Sequence, residues 1–258
     1  MTRLEVSGED IVGIRAANPG PFTLSGTNSW IVGRDPAWLV DPGPALEEHI
    51  TALVEELDVR GGLAGIALTH DHADHSEAVP AMRARYPDAR LGGARGEVDV
   101  RLGDGAVLGP LEAIPLIGHA PDHLVFVTGT AALTGDAVLG EGSVFIVPGP
   151  GSLVAYLDGL RRLEQRRLAV LCPGHGPVVL DPGAKLQEYI SHRLERERRL
   201  LSALQHGRRS VEELLDEAWS EVPPGLRPAA AVTLAAHLDK LEGEGRLPEG
   251  VERPTLRL

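Results

Sequence analysis

The sequence predicts an α/β fold built on a mixed sheet covered by helices, followed by a small, mainly helical module. Three observations carry that prediction. Up to about residue 180, short apolar runs alternate with helix-period segments. The 31 glycines and 20 prolines fall in short clusters between those runs, the punctuation of many turns rather than of a linker. From Asp181 onward strand signals stop and capped helices follow one another. The expected division is therefore residues 1–180 and residues 181–258.

Taken in order, IVG at 31–33 and WLVD at 38–41 read as a hairpin around the Gly33-Arg34-Asp35-Pro36 turn. Residues 45–57 read as a helix because Leu46, Ile50, Leu53, Val54 and Leu57 share one face. GIALTH at 65–70 is a short buried strand, and a helix is expected from His75 to Tyr86. LVFVTG at 124–129 and AALTGD at 131–136 form a second hairpin, and AVLCPGH at 169–175 is a further strand. Ser152 is the expected N-cap of a helix carrying Leu153, Tyr156, Leu157, Leu160 and Leu163. Asp181-Pro182 opens a helix that runs to about His206 before Gly207. Ser210 and Glu213 form a capping box for a helix through Trp219. A last helix is expected from Pro228 to Glu242, with a small strand or wing in 246–258.

Composition excludes several classes. At 43% hydrophobic and 24% charged, the 258-residue chain can bury a core. Its 37 acidic against 25 basic residues give a net charge of −12, which argues against a generally basic nucleic-acid or membrane-surface protein. No apolar run approaches the ~18 residues of a membrane span. The first ten residues, MTRLEVSGED, carry acids where a secretory signal would be apolar. One cysteine, Cys172, cannot form an internal disulfide and reads as a buried strand-end residue. A cytoplasmic enzyme is the expectation.

The ten histidines are unevenly spread. THDHADH, Thr69 to His75, puts imidazoles at 70, 72 and 75 and a carboxylate at 74. At a strand end, residues two apart point the same way, so His70 and His72 can bind one metal together, and an immediate turn into a helix aims Asp74 and His75 nearby. Such nitrogen and carboxylate donors suit zinc, with iron or manganese as alternatives. His119 in IGHAPDH, Asp136 at the end of ALTGD and His175 in PGHG each follow a strand signal and stand in tight turns.

This set resembles the metallo-β-lactamase superfamily, whose signature is HxHxDH followed by a later His, a bridging Asp and a final His. The spacings here are 44, 17 and 39 residues from His75 through His119 and Asp136 to His175. The resemblance implies an αββα sandwich with its metals at one edge. It also implies a first metal on His70, His72 and His119, a second on Asp74, His75 and His175, and Asp136 bridging them. Two such zinc ions, ~3.5–4 Å apart, would share a hydroxide of near-neutral pKa. NPGPFTLSGTNSW at 18–30, WLVDPGP at 38–44 and HLDKLEGEGRL at 237–247 resemble the β-lactamase-like protein 2 group and its small C-terminal winged-helix-like module. That group includes a mitochondrial endoribonuclease. In the family picture the Thr23–Asn28 loop borders the site and Asp41 supports the metal region from beneath.

The implied function is hydrolysis of a thioester, ester or phosphodiester. Asp74 would orient the hydroxide and take its proton, and Asn28 and His123 would contact substrate. The alternatives are an endoribonuclease on single-stranded RNA and a nucleic-acid-binding regulator with a vestigial hydrolase domain. A homodimer is compatible with the sequence, and a membrane partner is not expected. His49, His192, His206 and His237 read as surface or packing residues of helices. The arginine-rich stretch 193–209 reads as a solvated helix face that RNA backbone can graze. Residues 208–258 hold seven basic and ten acidic side chains, poor footing for DNA binding.

Overall fold

The computed structural model describes residues 2–6 and 8–256. The chain divides into two compact units, residues 1–116, 122–143 and 166–183 in one, and 117–121, 144–165 and 184–258 in the other. Among the described residues, no helix is long and apolar enough to cross a membrane.

The first unit is a sandwich of two sheets. The seven-stranded sheet runs in chain order: β1 (Thr2–Val6), β2 (Ile11–Arg15), β3 (Asn28–Val32), β4 (Ala37–Val40), β5 (Leu63–Ala67), β6 (Arg90–Gly93) and β7 (Val100–Arg101). Its first four strands pair antiparallel, and β4 to β7 pair parallel. The five-stranded sheet holds β8 (Val107–Leu108), β9 (Leu111–Pro115), β10 (Leu124–Thr128), β11 (Ala131–Gly135) and β12 (Val170–Pro173), with only the β11–β12 pair parallel.

Period-2 alternation explains the layers. Trp30, Val32 and Val40 point into the space between the sheets, against Leu111, Phe126, Leu133 and Cys172 of the second sheet. Ile31 and Leu39 point the other way, onto Leu53 and Leu57 of α1 (Glu47–Val59) and Met82 of α3 (Val79–Arg85). Both expected hairpins form, β3 with β4 and β10 with β11. The helix expected from His75 to Tyr86 is broken into α2 (Ala73–Ser76) and α3. Gly43 causes the break, because its N–H donates to His75 O at 2.9 Å and its carbonyl accepts from Ala78 N at 3.0 Å. Pro80, with no N–H to give, suits the first turn that follows. Sequence periodicity does not pick out β1, β2, β6, β7, β8 or β9, of which β7 and β8 are only two residues long.

The second unit contains α4 (Ser152–Glu164), α5 (Pro182–Gln205), α6 (Val211–Ala218) and α7 (Arg227–Gly243). Ser152 is not the cap of α4. Gly151, at φ +77°, takes that position, and Ser152 Oγ donates to Val147 O at 2.8 Å. The capping box on α6 is present in both directions. Residues 232–238 of α7 are all buried, the mark of a helix apolar on every side. One of its neighbours is α4, and Leu234, Leu238 and Leu241 join a core with Leu200, Leu214 and Trp219. The strand expected in 246–258 is absent among the described residues, and Arg257 and Leu258 lie outside them.

Candidate metal centre

The predicted donors of the first unit gather where strands end. Asp41 follows β4, Thr69 and His70 follow β5, Asp136 follows β11, and His175 follows β12. Because β4–β5 and β11–β12 are parallel pairs, their C-terminal ends open on the same side of each sheet.

Asp41 organises the first cluster. Its Oδ1 accepts from Thr69 N at 2.8 Å, and its Oδ2 accepts from Thr69 Oγ1 at 2.7 Å and from His75 Nδ1 at 2.9 Å. The His75 proton is thereby held on Nδ1, and Nε2 is turned toward Asp74 and Asp136. That carboxylate–imidazole pairing is the usual support behind a metal-binding histidine. His75 Nε2 is buried and, among the described residues, has no well-aligned hydrogen-bond partner. It lies 3.5 Å from Asp74 Oδ2 and 3.4 Å from Asp136 Oδ1, while His175 Nε2 lies 3.3 Å from each. His175 Nδ1 faces Gly26 O at 3.4 Å, which leaves its Nε2 for the centre.

Donor chemistry and spacing fit a cation. Four ligands held ~2.0–2.1 Å from a tetrahedral zinc ion stand roughly 3.3–3.4 Å apart. Two overlapping groups, His70/His75/Asp136 and Asp74/His75/His175, bring one donor atom each within 4.8 Å of the others. His70 Nε2 and His72 Nδ1 are 2.9 Å apart. His119 stands at the tip between β9 and β10 and is buried, its ring centroid 4.8 Å from that of Phe145.

Electrostatics point the same way. Burial opposes charge on Asp74, yet the hydrogen bond from His175 and the nearby His75 bring its carboxyl down to about 2. Burial likewise opposes charge on His175, but Asp136 and Asp74 raise it to about 9. Asp136 is held well below and His75 well above their ordinary values, burial being outweighed by their mutual attraction in each. A buried carboxylate beside a half-buried one demands positive charge, which imidazolium protons or a metal can supply.

Gly174 is required by this packing. A methyl group there would lie 2.7 Å from both Asp136 Oδ1 and His75 Cε1.

Asn28 and His123, the expected substrate contacts, are completely buried and bond inward instead. Asn28 Nδ2 donates to Pro173 O and Gly176 O, and its Oδ1 accepts from Arg15 Nε. It ties β3 to the His175 turn. His123 Nε2 accepts from Asp136 N at 3.0 Å, and its ring stacks on His70 at 4.9 Å.

Thr27 was not singled out from sequence. Its Oγ1 donates to Asp74 Oδ2 at 3.1 Å and accepts from Asn18 Nδ2 at 2.9 Å, and its backbone bridges to His175. The sequence places it only as part of the Thr23–Asn28 loop that the family resemblance sets at the border of the site.

Comparison with known proteins places this arrangement. A family model described as the β-lactamase associated winged helix domain matches residues 210–249. An atrochrysone carboxyl ACP thioesterase of Aspergillus chevalieri is 33% identical over 236 residues, spanning 83% of this chain and 74% of that protein. A β-lactamase-like protein 2 homologue of Caenorhabditis elegans is 30% identical over 261 residues, spanning 94% and 87%. The crystal structure of a β-lactamase domain protein from Burkholderia ambifaria superposes with a TM-score of 0.75 at 19% identity, covering 96% of this chain and 91% of that one. The chain belongs to the metallo-β-lactamase superfamily, among relatives of β-lactamase-like protein 2. It is a metallo-β-lactamase-fold hydrolase whose His and Asp groups can bind metal.

Proposed function

We propose that the centre holds two transition-metal ions, zinc foremost with iron or manganese as alternatives, and that the protein hydrolyses a small-molecule thioester in the cytoplasm. His70, His72 and His119 would hold the first ion and Asp74, His75 and His175 the second, with Asp136 reaching both. The observation that carries this reading is the set of 3.3–3.5 Å separations among Asp74, His75, Asp136 and His175. When bound, the ions supply Lewis acidity toward a substrate oxygen and acidify a water to near-neutral pKa.

The residues supply the rest. Asp74, about a third exposed and held by the Thr27 hydroxyl, is placed to orient the attacking water and receive its proton. Asp41 and the Gly26 carbonyl face Nδ1 of His75 and of His175, so that each ring turns its Nε2 to the centre.

Two facts support a small thioester over RNA. One relative is an ACP thioesterase. Three arginines of the arginine-rich stretch are ion-paired, Arg196 with Glu221, Arg198 with Glu195, and Arg199 with both, which leaves less of their charge for an RNA backbone. The deciding experiment is elemental analysis of purified protein together with a hydrolysis panel of acyl-ACP and acyl-CoA thioesters, simple esters, β-lactams, phosphodiesters and single-stranded RNA. About two ions per chain and preferential thioester turnover are expected. RNA cleavage without thioesterase activity would replace this reading with the endoribonuclease.

A further inference from the structure

Residues 143–148 form no helix or strand, yet Val144 and Ile146 are buried. A buried irregular segment must find partners for its backbone outside a sheet, and here the helices of the second unit provide several. Ile146 N donates to Thr233 Oγ1 of α7 at 3.2 Å. Arg193 of α5, itself almost wholly buried, donates to Val144 O and lays its guanidinium 5.6 Å from the Tyr156 ring centroid. Ser152 Oγ of α4 donates to Val147 O.

The same segment grips the turn that carries His119. Val147 N donates to Gly118 O at 2.8 Å, and the Phe145 ring packs against the His119 ring. Tyr156 lies so close to Gly118 that a methyl group there would meet its Cδ2 at 2.6 Å. His119 thus has its backbone neighbour and its ring held by groups that α4, α5 and α7 hold in turn.

We infer that the C-terminal helices are a positioning element for His119: through Thr233 and Arg193 they fix residues 144–147, and these fix the turn that presents its ring. The inference rests on the reading of His119 as a ligand. Thr233 and Arg193 are positioning residues, with no substrate contact. Removing the support behind a ligand costs about 10–100-fold in metal affinity, and one ion of the two should feel it.

The test uses the full-length chain. Thr233→Val keeps the side-chain shape and removes the hydroxyl, while Thr233→Ser restores it. Leu241→Val thins the core of the same helix about 12 Å further along and calibrates loss from general destabilisation. Metal affinity is read by competition with a chromophoric chelator, and the His119 ring signals by NMR in metal-free protein. Wild type and Thr233→Ser should hold both ions alike. Thr233→Val should weaken one ion about ten-fold or more, leave the other unchanged, and shift the His119 ring signals but not those of His49. Wild-type affinity for both ions in Thr233→Val, or a loss no larger than in Leu241→Val at equal melting temperature, overturns the inference. A wild type that binds one ion sinks the dinuclear reading instead, and the ring signals then decide the inference alone.

Discussion

Asp74 and Gly174 show how little slack the centre has. Asp74 is the most exposed donor of its group and contributes little to the core, so its loss should separate catalysis from folding. Asp74→Ala is expected to lower kcat about 100-fold or more while moving the melting temperature by only a few degrees, as steady-state kinetics and thermal melts will show. Near-normal turnover on a confirmed substrate would remove Asp74 from the mechanism. Gly174→Ala is a different kind of lesion. Its methyl group has to displace Asp136 Oδ1 or His75 Cε1, both rigidly held, at a cost of roughly 1–3 kcal/mol. Metal content by elemental analysis should fall in step with a lower urea midpoint. A fully metallated Gly174→Ala protein of wild-type stability would contradict the packing described here.

At the scale of elements, α1 is pinned to the sheet by a neutral histidine. His49 is fully buried on that helix, its Nε2 2.9 Å from Ser29 Oγ and 3.1 Å from Pro42 O. Burial lowers its pKa from 6.5 to about 4, with the Pro42 carbonyl pulling weakly the other way. A depressed histidine pKa means that the unfolded chain takes up a proton before the folded one does. Its share of stability is therefore complete above pH 6.5 and is lost as pH falls from 6.5 toward 4. The loss is on the order of 3 kcal/mol. Urea unfolding of chelator-treated protein should show it, and His49→Gln, with no proton to gain, should flatten that part of the pH profile. An unchanged profile in the variant would assign the acid sensitivity elsewhere. The same logic separates His49 and His237, packed inside, from the surface role open to them on sequence alone.

For the whole molecule, the matched winged-helix region raises the question of nucleic acid. In a helix-turn-helix arrangement the second helix enters the groove, but here α7 is buried throughout residues 232–238 and packs with α4. No broad polar face is left on it to read a duplex. Together with the chain's net charge of −12, this predicts no salt-dependent binding to duplex DNA, measured by fluorescence anisotropy across a salt series. Tight binding near physiological salt that weakens steeply as salt rises would revive the regulator. Truncation before Arg208 should do more than remove an appendage. It strips α6 and α7 from the core they share with Leu200 and Leu204 of α5, so loss of solubility is the expected result in an expression trial.

Local signals were legible in the sequence because their physics is local. The donor string from His70 to His75, the strand ends before Asp136 and His175, and the capping box of Ser210 and Glu213 all depend on neighbours a few residues away. Two hairpins and the long α5 were readable for the same reason, from alternation and from Asp181-Pro182. Tertiary structure alone decided the rest. Thr27 touches Asp74 across 47 residues, Asn28 and His123 turn inward onto distant backbone groups, and Gly43 interrupts a helix more than 30 residues ahead of it. The place of α4 with the C-terminal helices was equally hidden, since its apolar face shows that it must be covered but not by what. Periodicity in a chain states which face seeks burial, and only the packed fold supplies the partner.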